Sequence, residues 1–256
     1  MEVSIRLELI LLSSISFILA WFFAIGINDY YDVEIDKITN PTRPLVTERL
    51  TPRDVKIFFI ISGISSLALA ILCDLLNAKF GITLLTGIYL LLAILYSTPP
   101  FRIKSKTPFS SLVIGLVTSE CILIGGVLTE MTLLYISYAI ILGFLVTFIS
   151  AAKDLKDIEG DKTAGIPTIP VNYGPEKAAL MFQVINVVGY GSLFFLYFLQ
   201  PLPWYFDVYL IITIIINFLL FQRFKKAPTQ ENGGLIYKLG FSLYMIGSIL
   251  MIVINL

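Results

Sequence analysis

The stretch Leu7–Asp36, LELILLSSISFILAWFFAIGINDYYDVEID, decides how the rest of the chain is read. Its first part, 7–27, is continuously apolar and long enough to cross a hydrocarbon core as a helix, which takes about 20 residues. The run passes directly into the acids of Asn28-Asp29-Tyr30-Tyr31-Asp32-Val33-Glu34-Ile35-Asp36. No small-residue cleavage pattern follows a short apolar region, so the segment reads as mature sequence rather than a removable leader. Asn28, Asp32 and Asp36 recur every fourth residue, drift only about 40° per step around a helix and so share one face. Asp29 falls at the edge of that face, and Glu34 points away from it.

The remainder repeats the apolar part of this pattern. Hydrophobic residues make up 57% of the 256 and mean hydropathy is +0.88, outside the soluble range. Further apolar runs lie near 54–73, 80–96, 109–128, 131–152, 178–199, 204–221 and 235–255, which predicts eight helical spans. Their continuous apolarity excludes the in/out alternation of a membrane β-barrel. Lys and Arg alternate in sidedness: Lys37, Arg43, Arg49 and Arg53, then Arg102, Lys104 and Lys106, then Lys153, Lys156, Lys162 and Lys177, then Arg223, Lys225 and Lys226 all follow odd-numbered spans. Lys56 and Lys238 begin the helices leaving that side, while the opposite side has only Arg6 and Lys79. By the positive-inside rule the charged face is cytoplasmic and both ends of the chain are external.

Composition also narrows the chemistry. Histidine is absent, which removes haem ligation, His-based zinc and Ser-His-Asp catalysis. Cys73 and Cys121 lie in apolar runs, where a thiol behaves as a small hydrophobe and implies no disulfide. Carboxylates, Lys, Arg, Tyr, hydroxyls and metal remain.

A second acid cluster, Lys153-Asp154-Leu155-Lys156-Asp157-Ile158-Glu159-Gly160-Asp161, follows the fifth span. Spacings of three and four predict that Asp154, Asp157 and Asp161 share one helical face. Each cluster opens a cytoplasmic connection of roughly twenty-five residues, long for a purely structural link. Asp32 and Asp157 stand about half a chain apart, which suggests one domain of two duplicated halves, about 1–128 and 129–256, around a central cavity. Carboxylates converging at the mouth of such a cavity repel one another, so a positive species must sit between them. Oxygen ligands without His or Cys select Mg²⁺ or Ca²⁺, and Mg²⁺ characteristically combines carboxylates with substrate phosphate, which points to a diphosphate. Arg43, Arg102, Lys104, Lys153 and Lys162 on the same side are candidates for its non-bridging oxygens. Ordinary solvated acids in loops would explain one such cluster; two that are helically phased on one side are harder to explain that way.

The strings Asn28-Asp29-x-x-Asp32-x-x-x-Asp36 followed by Asn40-Pro41-x-Arg43-Pro44, then Tyr96-Ser97-x-Pro99-Pro100-x-Arg102-x-Lys104, and Asp157-x-x-Gly160-Asp161-x-x-x-Gly165-x-x-Thr168-x-Pro170 closely resemble the UbiA superfamily of intramembrane prenyltransferases, over nearly the whole chain. The resemblance implies an all-α bundle around a cavity open sideways to lipid, and two Mg²⁺ ions bridging an isoprenyl diphosphate. It implies that Asn28, Asp32, Asp36, Asp154, Asp157 and Asp161 hold the metal or the metal-bound diphosphate, with Asp32, Asp36, Asp157 and Asp161 catalytic. Arg43, Arg102 and Lys104 would contact phosphate. Members usually have nine spans with the first Asp motif after the second; here it follows the first, as if the family's first helix were absent from this sequence. The form Ala152-Lys153-Asp154-x-x-Asp157-x-x-Gly160-Asp161 looks most like the archaeal branch that makes digeranylgeranylglyceryl phosphate. That branch implies geranylgeranyl diphosphate as donor and the hydroxyl of geranylgeranylglyceryl phosphate as acceptor, in the cell membrane. The alternative within enzymes is a quinone- or chlorophyll-type acceptor. No nucleic acid and no obligate protein partner is expected.

Other residues are candidates for substrate or allylic-cation contact: Asp29, Tyr31 and Tyr96, and among further aromatics Tyr30, Tyr89, Phe144 and Phe148. Glu120, in the middle of the fourth span, reads either as an acceptor contact or base, or as a protonated acid bonded to a neighbour. Asn186 and Asn217 are expected to join helices. A cation transporter would put its acids at the bilayer midplane, where only Glu120 stands, and a membrane scaffold would have nothing to offset the acid clusters.

Overall fold

The computed structural model describes residues 7–106, 109–163 and 167–255, so Arg6 of the charge pattern and Gly165 of the second motif lie outside the described residues. The helices are α1 Leu7–Thr39, α2 Pro52–Asn77, α3 Ile82–Ser97, α4 Phe109–Leu128, α5 Leu133–Ala152, α6 Ile158–Thr163, α7 Ile169–Tyr173, α8 Pro175–Ser192, α9 Trp204–Lys226 and α10 Gln230–Asn255. Three short 3₁₀ segments, Ile103–Ser105, Lys153–Leu155 and Leu193–Phe198, complete the regular structure, and the described residues contain no strand. Each expected apolar run coincides with a helix. Among the described residues, 7 helices are long and apolar enough to cross a membrane, whereas α3 has 16 residues, about 24 Å along its axis. Outward faces carry exposed Ile, Leu and Phe, such as Ile57, Phe58, Ile61, Ile211, Ile215 and Leu219, as lipid contact requires.

Two expectations about the acid segments are corrected. The first connection is far shorter than twenty-five residues, because α1 continues as one helix of 33 residues through the acids and leaves only 40–51 before α2. Polar residues at four-residue spacing are compatible with helix, so loss of hydropathy did not mean loss of helix. The second cluster does not lie on one helix. Helix α5 stops at Ala152, Asp154 sits in the 3₁₀ turn, Asp157 in the link, and Asp161 in α6. Single turns still connect them: the Asp157 N–H donates to the Asp154 carbonyl at 3.2 Å, and the Asp161 N–H to the Asp157 carbonyl at 2.9 Å.

The chain divides into two compact units, Met1–Lys106 with Leu123–Met131, and Thr107–Ile122 with Thr132–Leu256. In the first, α1 and α2 pair along a close seam. A Cβ on Gly26 would lie 2.7 Å from Phe59 Cβ, and one on Gly63 would lie 2.8 Å from the Phe23 ring. The Ser16 hydroxyl donates to the Ser66 carbonyl at 2.8 Å and the Ser66 hydroxyl to the Ser16 carbonyl at 2.7 Å. Small residues and reciprocal hydrogen bonds are what hold helices together in lipid, where apolar burial gives no advantage. Thr51 starts α2 with a capping box: its hydroxyl accepts from the Asp54 N–H, the Asp54 carboxylate accepts from the Thr51 N–H, and Pro52 follows.

Asp74, fully buried near the end of α2, is an acid that hydropathy alone leaves unexplained. Its carboxylate accepts the N–H groups of Ile82 at 3.0 Å and Thr83 at 2.8 Å, capping α3 where Gly81 offers no side chain. Asp74→Ala is therefore expected to lower stability by about 1–3 kcal/mol, the usual cost of orphaning buried donors. Thermal unfolding in detergent measures it; an unchanged midpoint would show that water caps α3 equally well.

In the second unit, α5, α8, α9 and α10 enclose a core of Leu142, Leu145, Tyr190, Phe206 and Leu210, with a second cluster around Phe182, Phe221, Phe224 and Leu155. The second cluster includes Leu155 of the acid segment itself, so the core anchors that segment.

Candidate active site

In the first unit the last turns of α1 meet two loops. Asn28, Asp32 and Asp36 line one side of the helix as their spacing requires, and each finds a polar partner from a later segment. The Arg102 guanidinium donates to Asp32 Oδ1 at 2.6 Å, and the Lys104 ammonium pairs with Asp32 Oδ2 and donates to Asn28 Oδ1 at 2.8 Å. Arg43 pairs with Asp29, and its Nε lies 3.5 Å from Asp36 Oδ2. The Asn40 amide donates to Asp36 Oδ1 at 3.0 Å, and the Ser97 hydroxyl contacts Asn28 Oδ1 at 3.4 Å. Asp36 is buried, and the Asp32 and Lys104 side chains are only 13% and 14% exposed, so solvent screens these pairs little. Burial pushes the Lys104 ammonium below the usual lysine range, with its hydrogen bond to Asp32 opposing the shift. Arg102 holds a left-handed backbone, φ 39°, which a non-glycine residue adopts at a cost of order 1–3 kcal/mol.

The chain itself also sets cations against the first-row acids. Among the described residues no three acid side chains come together as a metal-holding group. The residues nonetheless suit Mg²⁺ chemically, since the donors are carboxylate and amide oxygens and nothing softer.

The second unit carries the other acids. The Lys156 ammonium pairs with the half-exposed Asp157 at 3.1 Å, a contact that selecting Lys153 and Lys162 passed over. Lys153 and Lys162 are exposed. Asp161 Oδ2 is buried with no hydrogen-bond partner among the described residues, and so is Thr168 Oγ1. Burial pushes the Asp161 carboxyl above the usual carboxylate range, and the neighbouring Thr168 hydroxyl opposes the shift. Thr168 occupies the cap position of α7 yet makes no capping bond, leaving its hydroxyl for another role. A buried carboxylate oxygen without a donor is the kind of group a hard cation satisfies, so Asp161 fits a metal on structural grounds. The segment is backed by α10: a Cβ on Gly233 would lie 2.6 Å from the Leu155 carbonyl and from the Lys156 nitrogen.

The remaining candidates divide. Tyr96 lies near Asp32 in the first unit. Tyr31 is 41% exposed with its ring against Tyr30. Tyr89 is buried against Phe17, whereas Phe144 is half exposed and packs on Phe148. Glu120 is buried in α4, and its Oε2 has no hydrogen-bond partner among the described residues. Asn186 and Asn217 do not bridge helices with their amide donors: each donates to the carbonyl four residues earlier on its own helix, Phe182 at 3.0 Å and Thr213 at 3.0 Å. Neutralising a donor within the same helix is always within reach, which spacing alone does not reveal.

Comparison with known proteins extends this picture. A family model described as the UbiA prenyltransferase family matches residues 2–242. Digeranylgeranylglyceryl phosphate synthase of Methanosphaera stadtmanae is 28% identical over 211 residues, covering 81% of this chain and 71% of that protein. The protein of the same name from Methanocaldococcus jannaschii is 27% identical over 252 residues, covering 92% and 82%. A chloroplastic 2-acyl-4-prenylphloroglucinol 6-prenyltransferase of Humulus lupulus is 31% identical over 176 residues, or 64% of this chain and 42% of that one. Among solved structures, one concerned with digeranylgeranylglyceryl phosphate synthase in membranes has a TM-score of 0.79 at 24% identity, covering 98% and 87% of the two chains. A UbiA homologue from Archaeoglobus fulgidus bound to DMAPP and Mg²⁺ has a TM-score of 0.69 at 19% identity, covering 95% and 88%. With the helical fold and a family match over nearly its whole length, this integral membrane protein belongs to the UbiA prenyltransferase family.

Proposed function

We propose that the chain transfers a geranylgeranyl group from geranylgeranyl diphosphate to the free hydroxyl of geranylgeranylglyceryl phosphate, using Mg²⁺, at a site that faces the cytoplasm. The observation that carries the prenyl-transfer reading is the row Asn28, Asp32 and Asp36 with Arg43, Arg102 and Lys104 set against it. An array of hard oxygens interleaved with phosphate-binding cations suits a magnesium diphosphate and little else. The relatives named digeranylgeranylglyceryl phosphate synthase support the acceptor.

In this reading Asn28, Asp32 and Asp36 in the first unit, and Asp154, Asp157 and Asp161 in the second, are the residues that would hold Mg²⁺ and the diphosphate it carries. When bound, Mg²⁺ supplies Lewis-acid neutralisation of the leaving group. Arg43 and Arg102 offer bidentate donors and Lys104 a point charge to the non-bridging oxygens, with Lys153 and Lys162 adding cations. These charges are fixed before reaction, so they stabilise the growing negative charge without reorganising. The allylic carbon–oxygen bond breaks with its electron pair on the diphosphate, and the acceptor hydroxyl forms the new ether bond. Glu120, buried and short of a partner, serves as acceptor contact or as the base for the hydroxyl proton. Tyr31 and Tyr96 serve as contacts to the substrate or the allylic cation, and Asp29 steadies Arg43.

Purified protein incubated with radiolabelled geranylgeranyl diphosphate, Mg²⁺ and either geranylgeranylglyceryl phosphate or 4-hydroxybenzoate tests the reading. Label is expected in the glyceryl phosphate product. Label in the aromatic acceptor instead would favour the branch to which the Humulus lupulus relative points. EDTA is expected to bring transfer to background and added Mg²⁺ to restore it; EDTA-resistant transfer would exclude the metal.

A further inference from the structure

We propose that Arg43, Arg102 and Lys104 are exchangeable counter-ions of the first acid row, so that the metal and the diphosphate each displace these side chains from the other's binding groups and bind in mutual dependence. The proposal rests on the function given above and adds how binding at that site is controlled.

Both Asp32 oxygens are engaged, Oδ1 by Arg102 at 2.6 Å and Oδ2 by Lys104. Lys104 also holds Asn28 Oδ1 at 2.8 Å, and Arg43 holds Asp29 while approaching Asp36. An ammonium group held against Asn28 and Asp32 repels a divalent cation approaching the same oxygens, so metal binding favours turning Lys104 away from both. Lys104 and Asp32 are mostly buried, and a displaced ammonium left there without a partner costs far more than one in water. Phosphate oxygens provide the new partner.

Charge accounting points the same way. Asp29, Asp32 and Asp36 against Arg43, Arg102 and Lys104 make three negative and three positive charges, a balanced set. A divalent cation alone would leave that set positive, and a diphosphate alone would leave it negative. Together they offset most of each other's charge and give each displaced side chain an opposite charge. Such coupling is reciprocal and typically amounts to about 5- to 150-fold in affinity. After transfer, departure of pyrophosphate lets the chain's own pairs re-form, which keeps product release from stranding six charges, of which Asp36 is buried and the others partly so.

The experiment uses the full chain in detergent and Mn²⁺ alone as the metal probe, its free concentration read by electron paramagnetic resonance. Lys104→Gln is expected to bind Mn²⁺ about fivefold more tightly than wild type, because a competing cation has gone. The same variant is expected to retain radiolabelled pyrophosphate about fivefold more weakly at fixed Mg²⁺. Arg102→Gln should repeat both changes, which guards against one variant failing to fold. Lys106→Gln, exposed and outside the pairs, should alter neither. Mn²⁺ affinity that is unchanged or weaker in both Lys104→Gln and Arg102→Gln overturns the exchange, as does an equal gain in Lys106→Gln, which would mark a general charge effect. Wild-type protein that binds no Mn²⁺ and transfers no prenyl group would instead overturn the function itself.

Discussion

Replacing Asp32 by alanine is expected to lower prenyl transfer at least about 100-fold while the detergent-extracted protein remains folded. Among the described residues Asp32 is the one acid that engages two cations, Arg102 and Lys104, from a loop some seventy residues away. Its loss removes a proposed metal ligand and also the anchor that keeps both cations beside the row. The fold should survive, because α1 and α2 are also held by the reciprocal Ser16 and Ser66 bonds and the close approach at Gly63, several turns from Asp32. Asp157→Ala should reduce transfer comparably, although among the described residues Asp157 has only Lys156 as an ionic partner and is half exposed. Initial rates with saturating geranylgeranyl diphosphate, beside circular dichroism of the same preparations, make the comparison. Wild-type rates in either variant would refute that cluster as a metal site.

Gly233→Ala should have an effect of similar size for a mechanical reason. The added carbon would stand 2.6 Å from three backbone atoms of Leu155 and Lys156, closer than real Cβ atoms come, and backbone cannot swing aside as a side chain can. Either α10 or the segment bearing Asp154 and Asp157 must move. A displacement of about 1 Å in a reacting array can cost on the order of 100-fold in rate, whereas overpacking typically costs about 1–3 kcal/mol of stability. The signature is a large loss of kcat in a protein whose unfolding temperature falls only modestly. An unaffected kcat would mean that the acid segment has slack, and that its alignment does not depend on α10.

The helices were legible because lipid leaves a plain signature: every apolar run predicted from hydropathy is a helix. The acid row of α1 was legible for a related reason, since spacing by fours carries its own geometry. Hydropathy failed where helix and polarity coincide, at residues 28–39, because it reports solvent preference and not backbone conformation. It failed again at Asp154, Asp157 and Asp161, where spacings of three and four suit a 3₁₀ turn and a fresh helix as well as one continuous helix. Long-range pairing was out of reach. Nothing local shows that Arg102 belongs to Asp32, or that Asp74 caps a helix beginning eight residues later. Lys156 could have been found, since it directly precedes Asp157, but adjacency in sequence is a weak guide to contact.

The reciprocal serine bonds between α1 and α2 also bear on how the protein is made. A pair of helices that brings its own polar complement can zip together as soon as both have left the insertion channel, without waiting for the other helices. At that stage the row ending at Asp36 already stands on a braced hairpin. Biogenesis would thus proceed from a finished scaffold toward the later segments that complete it.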